Sequence, residues 1–128
     1  VAQPRPVPAA AVPAVELPGL DVSAALQAFG RDGKRFSALL RQFVDHHGGD
    51  AEAARQLTDA GDTQGARRLV HDLQGMAGIL QATELARVAA ATENALRDAN
   101  TPAMPPLFEA LQRAMTVLAV SVAQFEAL

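Results

Sequence analysis

The chain has 128 residues, 49% of them hydrophobic but only 4% aromatic, and carries a formal net charge of -3 with no cysteine. That length suits one domain with a core, and the missing cysteines exclude disulfides and thiolate chemistry. The acidic balance and the lack of a basic block exclude a surface that tracks nucleic-acid phosphates, no apolar run approaches the roughly 20 residues of a bilayer span, and no secretory signal pattern is present.

Residues 1–18 differ from the rest. Pro4, Pro6, Pro8, Pro13 and Pro18 are spread among alanine and valine. Proline fixes φ and removes a donor, so this stretch is expected to be extended or disordered, as a linker. Residues 19–128 then form the expected domain. The start at Val1 suggests a piece of a longer protein.

Asp21 can cap a short helix ending at Gly30, and Asp32 the next, in which Phe36, Leu39, Leu40, Phe43 and Val44 keep the helical period. Gly48-Gly49 interrupts, but the phase resumes at Ala51, Ala54 and Leu57. One long helix, kinked or loosened at the glycines, is expected. Gly61-Asp62 closes it and caps the following helix. Thr83 is expected to cap a further segment with Leu85, Val88, Ala89, Thr92 and Leu96 inward, ended by Asn100 and Pro102. Pro105-Pro106 opens the last helix, where Leu111, Met115, Leu118, Val122 and Phe125 follow a near-heptad spacing. Nothing reads as a strand. The expected fold is all-α: an antiparallel up-down four-helix bundle, with the short extra N-terminal helix as a lid on one end.

The most informative run is Leu69-Val70-His71-Asp72-Leu73-Gln74-Gly75-Met76-Ala77-Gly78-Ile79-Leu80. A helix turns Ala66, Leu69, Val70, Leu73, Met76, Ala77 and Leu80 onto one side, and His71 points about 160° away from the middle of that stripe. The imidazole should therefore face water. Gly75 and Gly78 fall on the same outward side, and each costs a helix about 1 kcal/mol relative to alanine. Helix–helix packing is a poor reason for glycines that face away from the apolar stripe. Access is a better one, because without a Cβ another protein can come close to the histidine.

This run resembles the signature of histidine-containing phosphotransfer (HPt) domains, approximately His-x-Leu-Lys-Gly-Ser-Ala-Gly-x-Leu-Gly-Ala. His71, Leu73, Gly75, Ala77, Gly78, Leu80 and Ala82 match in register; Gln74 stands where lysine is usual, Met76 where serine is common and Gln81 where glycine is common. The likeness runs from about Asp21 to the C-terminus. It implies a phosphorelay intermediate that accepts a phosphoryl group on His71 from a receiver-domain aspartate and passes it to another. It implies response-regulator receiver domains as partners, with Mg²⁺ supplied by the receiver and no cofactor in this chain. It also implies a C-terminal position in a bacterial hybrid sensor kinase, hence a cytoplasmic module, monomeric when isolated, alone or tethered to the inner membrane through its parent.

Imidazole titrates near pH 6.5 and keeps a lone pair near neutrality, which suits this nucleophilic role. Gln74, three residues after His71, can reach a phosphoryl oxygen through its amide but lacks the lysine's charge. Arg67, one turn before His71, is the candidate to replace that charge; its bland reading, shared by Arg68, is a solvated surface arginine. Asp72 is expected to face solvent. No Gly-x-x-x-x-Gly-Lys loop is present, so ATP chemistry is not expected. Asp45, His46, His47 and Asp50 cluster beside Gly48-Gly49, but adjacent histidines on a helix diverge by about 100°, so a solvated kink is expected there and no metal site. Glu84, Glu93, Glu109 and Glu126 are dispersed and suggest no carboxylate pair.

Two other readings fit parts of the pattern. His71-Asp72 superficially resembles the dimerising phosphoacceptor hairpin of sensor kinases, although that family usually has a proline shortly after the histidine and only two helices. Gln74 keeps open a docking bundle whose histidine is no longer phosphorylated.

Overall fold

The structure, a computed structural model, describes residues 20–21, 23–24 and 33–127. Five α-helices are present among them: α1 (Gly33–His47), α2 (Asp50–Asp59), α3 (Thr63–Ile79), α4 (Thr83–Arg97) and, after a 3₁₀ turn at Thr101–Ala103, α5 (Met104–Glu126). The described residues contain no strand. α1 and α2 together form one rod of the bundle. α3 packs between α2 and α4, and α5 closes the ring against α4 on one side and against α1 and α2 on the other. This is the expected four-helix bundle.

The first rod is two helices rather than one. Gly48 and Gly49 form a turn between α1 and α2. The Gly48 N–H still donates to the Val44 carbonyl at 2.9 Å and the Ala53 N–H to Gly49 at 3.0 Å, so the break is brief and the axis nearly continues. A Cβ on Gly48 would meet the Val44 carbonyl oxygen at 2.9 Å, which explains a glycine at that position. His46 and His47 sit at this break. The Nδ1 of His46 lies 2.8 Å from the Gln42 carbonyl and that of His47 2.8 Å from Asp50 Oδ2. The His47 ring also packs against Phe43, with centroids 5.0 Å apart. His46 is solvated as expected, but His47 is half-buried and partnered. Among the described residues no group of three or more metal-ligating side chains comes together.

The apolar periodicity buries as expected. Phe36, Leu40 and Phe43 of α1, Val70 and Leu73 of α3, Leu85 and Leu96 of α4, and Leu111, Leu118 and Val122 of α5 share one core. Phe36 meets Phe125 edge-on at 5.6 Å, joining the start of α1 to the end of α5. Arg41 and Glu126 reinforce the same junction through a two-bonded guanidinium–carboxylate contact, 2.8 Å at its shorter arm, and this contact holds the Glu126 carboxyl below the usual carboxylate range. Ala66 and Ala77 on α3 and Ala89 on α4 are fully buried. α3 and α4 pack along much of their length, which brings side chains on the two surfaces within reach of each other.

Helix ends follow one recurring device. After α2, α3 and α4 the chain turns through a left-handed residue: Gly61 (φ 87°), Gln81 (φ 63°) and Ala99 (φ 54°). In each case the next N–H reaches back to a carbonyl five residues earlier, Asp62 to Leu57, Ala82 to Ala77 and Asn100 to Ala95. Asp62 then caps α3, accepting from the Gly65 N–H at 2.9 Å. Thr83 does not cap α4: the N-cap is Ala82, which has no side-chain bond and is fully buried. A buried methyl here seals the bundle end, and burial outweighs capping.

At that same end Leu20 is buried, and the Asp21 N–H donates to the Gln81 carbonyl at 2.9 Å. Asp21 Oδ1 accepts from the Ala24 N–H at 3.0 Å, the capping bond expected of it. The rest of the expected lid helix, the Asp32 cap and residues 1–18 lie outside the described residues. No helix among the described residues is long and apolar enough to cross a membrane.

Candidate functional site

His71 occupies the middle of α3 with Val70 and Leu73 buried on either side. The buried stripe anchors the helix, so the position and direction of His71 are set by the core although its own ring is outside it. The side chain is 67% exposed. One helix turn onward, Gly75 is exposed, and a Cβ there would meet nothing within 4 Å; Gly78 is equally open. Neither glycine is required by packing or by an unusual φ. The outward face beyond His71 is bare backbone, bordered by an Ile79 side chain that is 67% exposed.

The sequence reading missed one member of the site. Glu93 on α4, which had looked isolated, places its carboxylate against the ring: His71 Nδ1 lies 3.1 Å from Oε1 and 3.2 Å from Oε2. The Glu93 side chain is only 19% exposed. An ionised carboxylate only accepts, so this contact requires Nδ1 to carry the hydrogen. The lone pair is then on Nε2, directed away from Glu93. A carboxylate that selects the tautomer and orients the ring is a common device in nucleophilic and metal-binding histidines. No periodicity in one sequence could have paired residues 22 positions apart. The α3–α4 packing brings them together.

Beside His71 lies a shallow depression of about 270 Å³ lined by Gln64, Arg67, Arg68, His71 and Glu93. All but Glu93 come from α3, at spacings that share one face. Arg67, expected one turn before His71, is half-buried there, and its Nε is buried without a hydrogen-bond acceptor. Gln74 is half-buried and lies outside this lining, on the C-terminal side of His71. Asp72 is exposed, as expected.

The family model of the Hpt domain matches residues 38–120, from the second turn of α1 to the last turns of α5. The chain is a member of the Hpt family. Neither a curated protein nor a solved structure matches it. Membership assigns it to histidine phosphotransfer in two-component signalling. Hpt domains are phosphoryl carriers rather than ATP-binding catalysts, and they interact with response-regulator receiver domains.

Proposed function

We propose that this Hpt domain is a relay intermediate that takes a phosphoryl group from one receiver aspartate onto His71 Nε2 and passes it to another. The observation that carries this reading is a solvent-facing imidazole whose Nδ1 is held by Glu93, next to helix backbone left bare at Gly75 and Gly78.

The chemistry follows from that geometry. The Nε2 lone pair attacks phosphorus, the P–N bond forms, and the P–O bond to the donor aspartate breaks as its carboxylate leaves. The ring becomes a phosphoimidazolium that still carries hydrogen on Nδ1. Glu93 faces that hydrogen and offsets the new positive charge. In the reverse sense an acceptor carboxylate attacks phosphorus and neutral imidazole departs, so no proton has to leave the site. Phosphoryl transfer relies on alignment and charge neutralisation. The bare face at Gly75 and Gly78 admits the receiver surface that supplies alignment. Gln74 can donate an amide hydrogen bond to a phosphoryl oxygen but adds no charge. The divalent cation beside the reacting aspartate is the receiver's own Mg²⁺.

The test is transfer from a phosphorylated receiver to the wild-type chain and to His71→Gln. Label on the wild type and none on the variant is expected, with the variant's melting temperature nearly unchanged because an exposed side chain contributes little packing. Label retained in the variant, or found on His46 or His47, would overturn the assignment. A wild-type chain that takes no label from any receiver would instead favour the docking bundle.

A further inference from the structure

We propose that the depression on the N-terminal side of His71 is an oxyanion site, which binds free phosphate and, once His71 is phosphorylated, holds the phosphoryl oxygens. Its second part rests on the phosphoacceptor reading of His71; its first part does not.

Two features of the arginines carry the proposal. Arg41, Arg55, Arg87 and Arg97 each lie against a carboxylate. Arg67 and Arg68 form no ion pair among the described residues, yet both line the same depression as the imidazole. The Nε of Arg67 is buried without an acceptor. A buried donor with no acceptor is unfavourable, and native structures rarely retain one unless a water or ligand completes it. The Gln64 amide adds a neutral donor to the lining. A tetrahedral oxyanion supplies several acceptors to such a set, and a guanidinium fork suits it better than a point charge does.

Glu93 is the one acidic group in the lining, and it opposes anion binding. Its carboxylate is turned onto His71 Nδ1. After phosphorylation the two halves of the site therefore divide the charges: Glu93 faces the ring cation, and Arg67 and Arg68 face the phosphoryl anion. The usual family lysine would stand at Gln74, C-terminal to the histidine. Here the cations are N-terminal to it, so the phosphoryl group is drawn back along α3 and leaves the side of Gly75 and Gly78 open to the partner.

The experiment titrates inorganic phosphate into the whole chain at low ionic strength and follows the arginine Nε–H and His71 ring signals by NMR. Saturable shifts at Arg67 Nε–H and His71 are expected, fading as sodium chloride is added. Arg67→Met keeps the aliphatic stem, removes the donors and should weaken phosphate binding by at least about fivefold. In a second arm, label is equilibrated between a phosphorylated receiver and the chain, where Arg67→Met should move it towards the receiver by about threefold or more. A wild-type titration that leaves Arg67 Nε–H unmoved overturns the proposal without relying on any variant. So does an Arg67→Met variant that binds phosphate as wild type does, while a variant that matches a labelled wild type in the second arm overturns the part that holds the phosphoryl oxygens. A wild type that takes no label from any receiver while binding phosphate at Arg67 would overturn the phosphoacceptor reading and leave the oxyanion site standing.

Discussion

At the residue scale, the arrangement turns on one pair from two helices. His71 and Glu93 meet at 3.1 Å with the carboxylate largely sheltered and the ring largely exposed. A sheltered carboxylate keeps its orientation, and a charge-assisted hydrogen bond is stronger than a neutral one. Glu93→Gln retains an acceptor for Nδ1–H but loses the charge that offsets the phosphoimidazolium. Its phosphorylation rate should fall by about fivefold to fiftyfold, the scale of a lost charged hydrogen bond at a partly exposed site. Stopped-time labelling from a phosphorylated receiver measures it, and a fall of this size that leaves the melting temperature in place would mark a positioning role rather than a structural one. Gly75 tests the access argument. Gly75→Leu meets open space, so stability should hold or rise by less than about 1 kcal/mol from the gain in helix propensity. Transfer should nevertheless collapse, because the new side chain occupies the receiver's approach. A variant that folds and transfers at the normal rate would remove access as the reason for that glycine.

At the element scale, the helix ends explain one departure from the family pattern. Gln81 stands where glycine is common, and it is the residue that takes φ 63° after α3. A side chain in the left-handed region costs roughly 1 kcal/mol, less the extra backbone entropy that glycine loses on folding. Gln81→Gly should therefore stabilise the domain by about 0.5–1 kcal/mol, read as a rise of a few degrees in melting temperature. Gln81→Ala should gain nothing, since alanine meets the same backbone penalty. An equal effect of the two variants would mean that the Gln81 side chain, rather than its φ, decides the outcome. The break between α1 and α2 has a comparable local cause. Periodicity carries across Gly48-Gly49 because the axis nearly continues, but the missing Cβ at Gly48 lets the backbone turn where a side chain would meet the Val44 carbonyl. A phase argument sees the common face and cannot see the two-residue turn between the helices.

At the scale of the whole molecule, a single core is closed by the five helices of one chain. The large apolar side chains left exposed among the described residues are Ile79, Val117 and Val120. Ile79 is on α3 beyond Gly78, while the two valines are on α5 and do not form a long stripe. An obligate dimer would require an extensive apolar face. The isolated chain is therefore expected to sediment as a monomer at micromolar concentration. A concentration-independent dimer would contradict this and revive the two-helix hairpin as the relevant comparison for its assembly.

The sequence by itself determined the number of rods, their buried faces and the outward direction of His71. These follow from local periodicity, which depends on neighbours three and four positions away along one helix. The signature around His71 also identified the family before any contact was known, and the bare positions Gly75 and Gly78 were legible because an outward glycine has no packing purpose in a helix. Only the tertiary structure decided that Glu93 belongs to His71, that Arg67 lies half-buried with an unpaired Nε, and that Ala82 rather than Thr83 is the N-cap of α4. Each of these depends on how two helices approach or on what a bundle end encloses. Glu93 reaches His71 because α3 packs against α4, and a pattern along one stretch of sequence carries no record of the partner it will face.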